Sequence, residues 1–300
     1  MAYNYPRRQA GGAGRPQLHD FNHIYKVLAT SILETISPTR CVACDVPGDV
    51  LCPSCASSLP FIDLSLACPR CGAPYGRALC TECPMPGSEE ALLHPEEAFP
   101  FARARATLSF EGGAKKIIRT YKDGDELRLD AVIASLLCAA IRGRMRQFGQ
   151  THLSHFLTVP VDNETDWSDT SVSSSALEDW SHWASALAYV PASPEAVRRR
   201  DFDHMERVAI RVAARTGLPL AHLLTSERKT HDQRELGRGE RFANRNGSFS
   251  LAVDTTGPIP RRIILIDDVF TTGATLSAAS RVLLDGGAEE VRAVTCCRVW

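Results

Sequence analysis

The chain has 300 residues, 44% of them apolar, and its 34 basic and 35 acidic side chains leave a net charge of −1. That is enough apolar material for one large domain or two smaller ones, and the charge balance argues against a strongly electropositive nucleic-acid binder. No run of about 18 apolar residues exists, so no transmembrane helix is expected, and MAYNYPRRQAGGAGRPQ at the N-terminus lacks the apolar region of a signal peptide; both point to the cytoplasm, where thiols stay reduced.

Residues 1–17 are rich in Gly, Arg and Pro and read as disordered. Over 18–38, Leu18, Phe21, Ile24, Tyr25, Leu28, Ile32 and Ile36 recur at helical spacing. The helix lacks a flanking basic face, so it is expected to pack on the cysteine-rich segment that follows rather than on a membrane.

Residues 39–86 hold eight of the eleven cysteines, as four C-x-x-C pairs: Cys41/Cys44, Cys52/Cys55, Cys68/Cys71 and Cys80/Cys83. The gaps between the pairs are seven, twelve and eight residues. Two pairs supply the four thiolates of a tetrahedral structural zinc, so eight predict two Zn²⁺ sites, closed and without a position for substrate. Pairing neighbours along the chain is the simplest scheme, and the spacing leaves an interleaved one open. So short a segment has little core of its own, so metal is expected to hold it together. It carries few basic or aromatic residues, a weak sign for direct nucleic-acid binding. Cys138, Cys296 and Cys297 stand in apolar surroundings and read as small buried hydrophobes. Residues 87–102, which overlap PMPGSEEALLHPEEAFP, read as a linker that would let the metal module unfold separately from the rest.

From 103 to 300, strand and helix patterns alternate, which predicts an α/β domain with a mainly parallel sheet flanked by helices. RARATLSF reads as a strand, and two helices follow, carrying Ala114, Ile117, Ile118 and Tyr121, then Leu129, Val132, Ile133, Leu136, Leu137 and Ile141. HFLTVPV reads as a buried strand, and the acidic, Ser-rich stretch 161–182 as a mobile surface insertion. ALAYVPA is a short apolar run. Met205, Val208, Ala209, Val212 and Ala213 mark a helix closed by Gly217. PLAHLLT reads as a strand and SERKTHDQRELGRGERFANRNGS as a long polar loop. Leu276, Ala279, Val282 and Leu283 give a helix ending at Gly286, and EVRAVTCCRVW closes the chain as a strand. The nine histidines form no metalloprotease or triad pattern and read as surface or packing residues.

The densest chemistry lies in RIILIDDVFTTGAT. The apolar run predicts a buried parallel strand ending on Asp267 and Asp268. Ligands in open α/β sheets bind beyond the carboxyl ends of strands. The following turn leads into a helix N-terminus whose N–H groups, with Gly273 allowing close approach, suit a phosphate. Thr271, Thr272 and Thr275 add hydroxyl donors, while two carboxylates suit hydroxyls. A ribose 5-phosphate satisfies both halves. Neither the P-loop nor the dinucleotide-binding glycine pattern is present.

The stretch ILIDDVFTTGAT resembles the phosphoribosyl-pyrophosphate (PRPP) signature of type I phosphoribosyltransferases. The likeness extends to Gln233, Leu236, Arg241, Asn244 and Phe249, to LSFEGGAKKIIRTYKDG and to the paired cysteines. From Leu18 to Trp300 the chain thus resembles the ComF family, a double zinc ribbon before a phosphoribosyltransferase domain. The resemblance implies that Asp267 and Asp268 hold the ribose hydroxyls at the catalytic centre. It implies that Phe270, Thr271, Thr272, Gly273, Ala274 and Thr275 form the 5-phosphate loop. PRPP would arrive with Mg²⁺, and pyrophosphate would be displaced by an unknown acceptor. Arg200, with Arg228 and Lys229 in the polar loop, is a candidate pyrophosphate contact. The family is linked to competence, the uptake of single-stranded DNA, which implies competence and DNA-uptake proteins as partners. A PRPP-sensing or protein-interaction factor without catalysis is the alternative. Two elements depart from the family. Arg200-Asp201-Phe202-Asp203-His204 replaces R-G-F-N-Q, and Val190-Pro191-Ala192-Ser193 replaces V-P-[VL]-[PH]. The first places carboxylates beside an expected anion, which is electrostatically unfavourable.

Overall fold

A computed structural model of the chain describes residues 38–83, 99–124, 126–143, 178–226, 248–253 and 257–300. The expected disordered start, nearly all of the helix over 18–38, the HFLTVPV strand, most of the acidic insertion and the polar loop with Arg228 and Lys229 lie outside them. The described elements, in chain order, are α1 (Pro53–Ser57), β1 (Arg103–Ser109), α2 (Gly112–Asp123), α3 (Leu129–Arg142), β2 (Ala186–Tyr189), α4 (Pro194–Arg200), α5 (His204–Thr216), β3 (Leu224–Ser226), β4 (Phe249–Leu251), β5 (Arg262–Phe270), α6 (Ala274–Asp285) and β6 (Glu290–Arg298). No helix among the described residues is long and apolar enough to cross a membrane.

Four strands form one sheet in the order β1-β6-β5-β2, every pair parallel. Ile263, Leu265 and Ile264, Ile266 alternate between its two faces and are wholly buried, as a centrally placed parallel strand requires. On the first face, α2, α3 and α5 pack against Leu108, Leu187, Ile264, Ile266 and Val294. The buried residues of α2 are Ala114, Ile117, Ile118 and Tyr121, the positions that helical spacing picks out. On the second face, α6 and the antiparallel β3–β4 pair cover Ile263, Leu265 and Ala293. The expected PLAHLLT strand is split. Leu220 makes a single parallel bridge to Leu187, and only from Leu224 does the chain enter β3. Pro219 has no N–H to give a ladder; its carbonyl accepts from the Leu187 N–H at 2.9 Å.

The cysteine module is not a separate body. Cys41, Leu51, Ala56 and Leu59 join the first-face core, and Cys68, Cys71, Ala73 and Cys83 join the second. Between them the module runs along the outer edge of β1. The Ile62 N–H donates to the Thr107 carbonyl and the Ser109 N–H to Pro60, both at 2.9 Å, and the Ala104 N–H donates to Arg70 at 2.7 Å. An open strand edge is thereby satisfied. The two parts share a core, so this packing argues against the expected independent unfolding. The final residues of the supposed linker are also core: Phe99 and Phe101 are buried and stack on each other with ring centres 4.9 Å apart. Trp180, near the end of the acidic insertion, is 1% exposed, and the Arg105 guanidinium lies 3.9 Å from its ring centre.

Candidate functional site

The chain leaves β2 through α4 and α5, with α5 on the first face, and leaves β5 through α6 on the second. Between the carboxyl ends of β2 and β5 the connections thus diverge, which is the topological switch point where open α/β sheets bind ligands. Asp267 and Asp268 lie there, but not at the last rung of the strand. Val269 and Phe270 still pair with Cys297 and Arg298, and the Phe270 carbonyl accepts from the Val299 N–H at 2.9 Å. The strand runs two residues further than its apolar run predicts because β6 is long enough to pair with it. Both carboxylates are consequently buried, at 8% and 5% exposure.

Asp268 is held by two helices. The Lys122 ammonium, at the end of α2, is in direct ion contact with Oδ2, which also lies 2.9 Å from His204 Nε2 at the start of α5. Arg200 Nη1 sits 3.4 Å from His204 Nδ1. A guanidinium can only donate, so Nδ1 accepts and the imidazole proton is on Nε2, donated to Asp268. Burial raises the Asp268 carboxyl, but the Lys122 charge and the His204 hydrogen bond outweigh it and hold it well below the usual carboxylate range. Burial opposes the Lys122 charge in turn, and Asp268 more than restores it, leaving the ammonium above its ordinary value. Asp267 accepts from the Asp268 N–H at 2.8 Å through Oδ1. Arg200, read as a pyrophosphate contact, is turned inward; its Nη2 lies 3.5 Å from Asp123.

The departures in Arg200–His204 each have a structural account. Asp201 adopts φ 62°, the left-handed region, where glycine costs nothing and Asp is tolerated better than most residues. Asp203 caps α5, accepting from Met205 at 2.8 Å and Glu206 at 3.3 Å, and its other oxygen accepts from the Ala192 N–H at 2.7 Å. His204 is buried rather than a surface residue, and its carbonyl accepts from the Tyr121 hydroxyl at 2.8 Å.

In the loop, Phe270 points inward, edge-on to Phe99 and Phe101. Gly273 has φ 80°, and a Cβ there would meet Phe99 Cε1 at 2.6 Å and Phe270 Cε2 at 2.7 Å. Glycine is thus required by the packing beneath the loop, not by an approach from outside. Thr272 Oγ1 accepts from the Ala274 N–H at 3.4 Å, while Thr271 is exposed and Thr275 half-buried beside the first turn of α6.

The eight paired cysteines form two groups, Cys41/Cys44/Cys52/Cys55 and Cys68/Cys71/Cys80/Cys83, each with ligand atoms within 4.8 Å of one another. Neighbouring pairs therefore associate, and the interleaved scheme does not occur. The sulfurs lie 3.7 Å apart for Cys44 and Cys52, 3.8 Å for Cys68 and Cys83, and 3.6 Å for Cys71 and Cys80. A tetrahedron with Zn–S of about 2.3 Å has edges of about 3.8 Å, so both groups fit that ion.

Residues 206–299 match the phosphoribosyl transferase domain family. The chain thus resembles that domain over those residues. It is similar to Competence protein F of Haemophilus influenzae, 26% identical over 177 residues that cover 59% of this chain and 64% of that protein. It is also similar to Competence protein ComFC of Streptococcus pneumoniae, 28% identical over 109 residues, 36% of this chain and 46% of that protein. The matches thus span less than two thirds of either relative's length. The matched domain holds Asp267, Asp268 and the loop to Thr275; Arg200 lies just before it, and Arg228 and Lys229 fall outside the described residues. Sequence reasoning missed Lys122 and His204. Lys122 follows the buried Tyr121 at the end of a helix, one of three lysines in that helix, and nothing in the spacing singles it out. His204 was marked only by its place in the departing pentapeptide.

Proposed function

We propose that the chain binds phosphoribosyl pyrophosphate, the 5-phosphate at the N–H groups of Phe270–Thr275 and the ribose hydroxyls at Asp267 and Asp268, and transfers the phosphoribosyl group to an acceptor in the cytoplasm. The observation that carries this reading is the pair of buried carboxylates at the switch point, immediately followed by a turn into the N-terminus of a 12-residue helix. Asp268 is kept ionised, so it can accept from a hydroxyl through whichever oxygen sites Lys122 and His204 leave open. Mg²⁺ would accompany the pyrophosphate and neutralise the leaving group; Asp268, committed to Lys122 and His204, is not assigned as its ligand. The two four-cysteine groups are read as structural zinc sites.

A second reading, a PRPP-binding factor without transfer that serves competence and DNA uptake through protein partners, is favoured by one feature. Asp201 is exposed directly after the three arginines that end α4, where it opposes a pyrophosphate. The names of the two relatives support the competence role.

Calorimetry with PRPP and with ribose 5-phosphate, in Mg²⁺, tests the common core. Asp267→Asn should weaken PRPP by about 10- to 150-fold, the loss of a charge-assisted hydrogen bond of about 1.5–3 kcal/mol. Pyrophosphate release with a panel of amines and bases separates transferase from sensor. Wild type that binds neither ligand at millimolar concentration would remove both readings.

A further inference from the structure

We propose that Arg298 is the built-in countercharge of the Cys68/Cys71/Cys80/Cys83 metal site and ties that site to the loop after β5. The inference rests on the zinc reading above. A divalent ion with four thiolates carries a net charge of about −2. In this group Cys68, Cys71 and Cys83 are buried, at 5%, 0% and 8% exposure. Buried net charge needs a partner. Arg298, the last residue of β6, is 1% exposed, and its Nη2 donates to Cys71 Sγ at 3.6 Å. Its Nε and Nη1 are buried with no hydrogen-bond partner among the described residues. Nor does any described carboxylate pair with it. A buried, permanently charged fork without a carboxylate is unfavourable unless negative charge lies beside it. The metal–thiolate group supplies that charge.

The first cysteine group is built differently. Cys44 is exposed, and Cys41 Sγ accepts from a backbone group, the Cys52 N–H, at 3.4 Å. Its neighbouring cation, Lys116, donates to the Ala43 carbonyl at 2.7 Å and lies in solvent. Water can screen that site, whereas the second requires a cation from the chain. The guanidinium carbon of Arg298 also lies 3.9 Å from the ring centre of Phe270, the first residue of the proposed phosphate loop. One side chain thus touches a metal ligand and supports the loop.

The test uses the full chain with bound zinc, with Arg298→Gln, which removes the charge, and Arg298→Lys, which keeps it. After a chelator challenge, cysteine alkylation read by mass spectrometry reports each group separately. In Arg298→Gln, Cys68, Cys71, Cys80 and Cys83 should become reactive about 10- to 100-fold faster, the usual cost of removing an outer partner of a metal ligand. The first group should keep its wild-type rate. Arg298→Lys should lie closer to wild type. Amide exchange over 270–275 should quicken in Arg298→Gln. Wild-type rates at the second group in a folded Arg298→Gln, equal acceleration of both groups, or identical behaviour of the Gln and Lys variants would each overturn the proposal. If Arg298→Gln does not fold, Arg298→Lys decides: its second group should react faster than in wild type while the first keeps its rate, because a point charge cannot reproduce the fork's contact with both Cys71 and Phe270. Wild type that holds no zinc removes the metal reading itself, a result distinct from a zinc-bound wild type with an indifferent Arg298.

Discussion

Like charge is crowded together twice in this molecule, and the two regions resolve the crowding by opposite means. In the thiolate groups the protein's own atoms leave the problem open. Burial acts against ionising Cys41, yet the N–H groups of Cys52, Cys44 and Ala43 bring it down to about 6, while burial and the thiols of Cys44, Cys52 and Cys41 push Cys55 up to about 12. Four thiolates this close repel one another unless a cation lies among them, and a divalent ion is what such a donor set fits. At Asp268 the chain carries its own solution, in Lys122 and His204. One region should therefore depend on an imported ion, and the other only on side chains that fold with it.

Metal removal should give the largest effect. Structural zinc in small modules is worth about 10–16 kcal/mol at neutral pH, comparable to the whole stability of a domain, about 5–15 kcal/mol. Because Cys41, Leu51, Ala56 and Leu59 share a core with α2 and α3, stripping the metal should lower one cooperative melting transition. Calorimetry checks this. Two transitions, with the later one unmoved, would restore the picture of a module on a linker.

Lys122→Met should come next. It leaves Asp268 buried with only the His204 imidazole beside it, and breaking one side of a buried pair costs about 3–5 kcal/mol. Asp268→Asn should cost less, because the Lys122 side chain is 28% exposed and can turn to water. The sign of the pH dependence follows from the directions. Asp268 is held below its ordinary 3.8, so its contribution is fully present above that value and is lost as pH falls through the lower folded one. Lys122 is held above its ordinary 10.5, so its contribution is fully present below that and is lost as pH rises further. The gap between wild type and Lys122→Met in urea unfolding should be flat from about pH 5 to 10 and narrow in strong acid and strong base.

Gly273→Ala should cost about 2–4 kcal/mol, combining a left-handed residue with a methyl driven into Phe99 and Phe270. Gly273→Ala combined with Phe99→Leu should recover part of the loss in urea unfolding, because the larger ring is the nearest obstacle. No recovery would place the cost in the backbone and in the contact with Phe270.

What the sequence disclosed divides along the same line. The parallel sheet, α2, α3, α5 and α6 were legible because their burial follows period and spacing, which are local. The two four-cysteine groups were legible as donor sets, though only the fold settled which pairs associate. The Asp268 network was not, because Lys122 and His204 come from helices 82 residues apart in the chain and meet only once the sheet has formed. The union of module and sheet was hidden for a related reason. Its hydrogen bonds join backbone groups of Pro60, Ile62 and Arg70 to β1, and backbone groups leave no mark in residue type. Asp201 was legible as a departure but not as a left-handed residue.

The smallest effect separates those two properties of Asp201. At φ 62°, Asp201→Gly relieves left-handed strain of about 1 kcal/mol but adds a similar entropy to the unfolded chain. Stability should then stay within about 0.5 kcal/mol of wild type. The charge is a different matter. An exposed carboxylate near a bound anion is worth about 0.5–1 kcal/mol of repulsion, so PRPP affinity should rise about two- to fivefold in Asp201→Gly. Asp201→Asn tolerates the same backbone and removes the same charge, so it should match that gain. Ribose 5-phosphate, which lacks the pyrophosphate, should bind all three proteins alike. Calorimetry in low salt gives the comparison its best chance, since screening erases surface charge effects. A gain in Asp201→Gly without one in Asp201→Asn would assign the effect to the backbone. A gain shared by ribose 5-phosphate would move the repulsion from the pyrophosphate to the 5-phosphate loop.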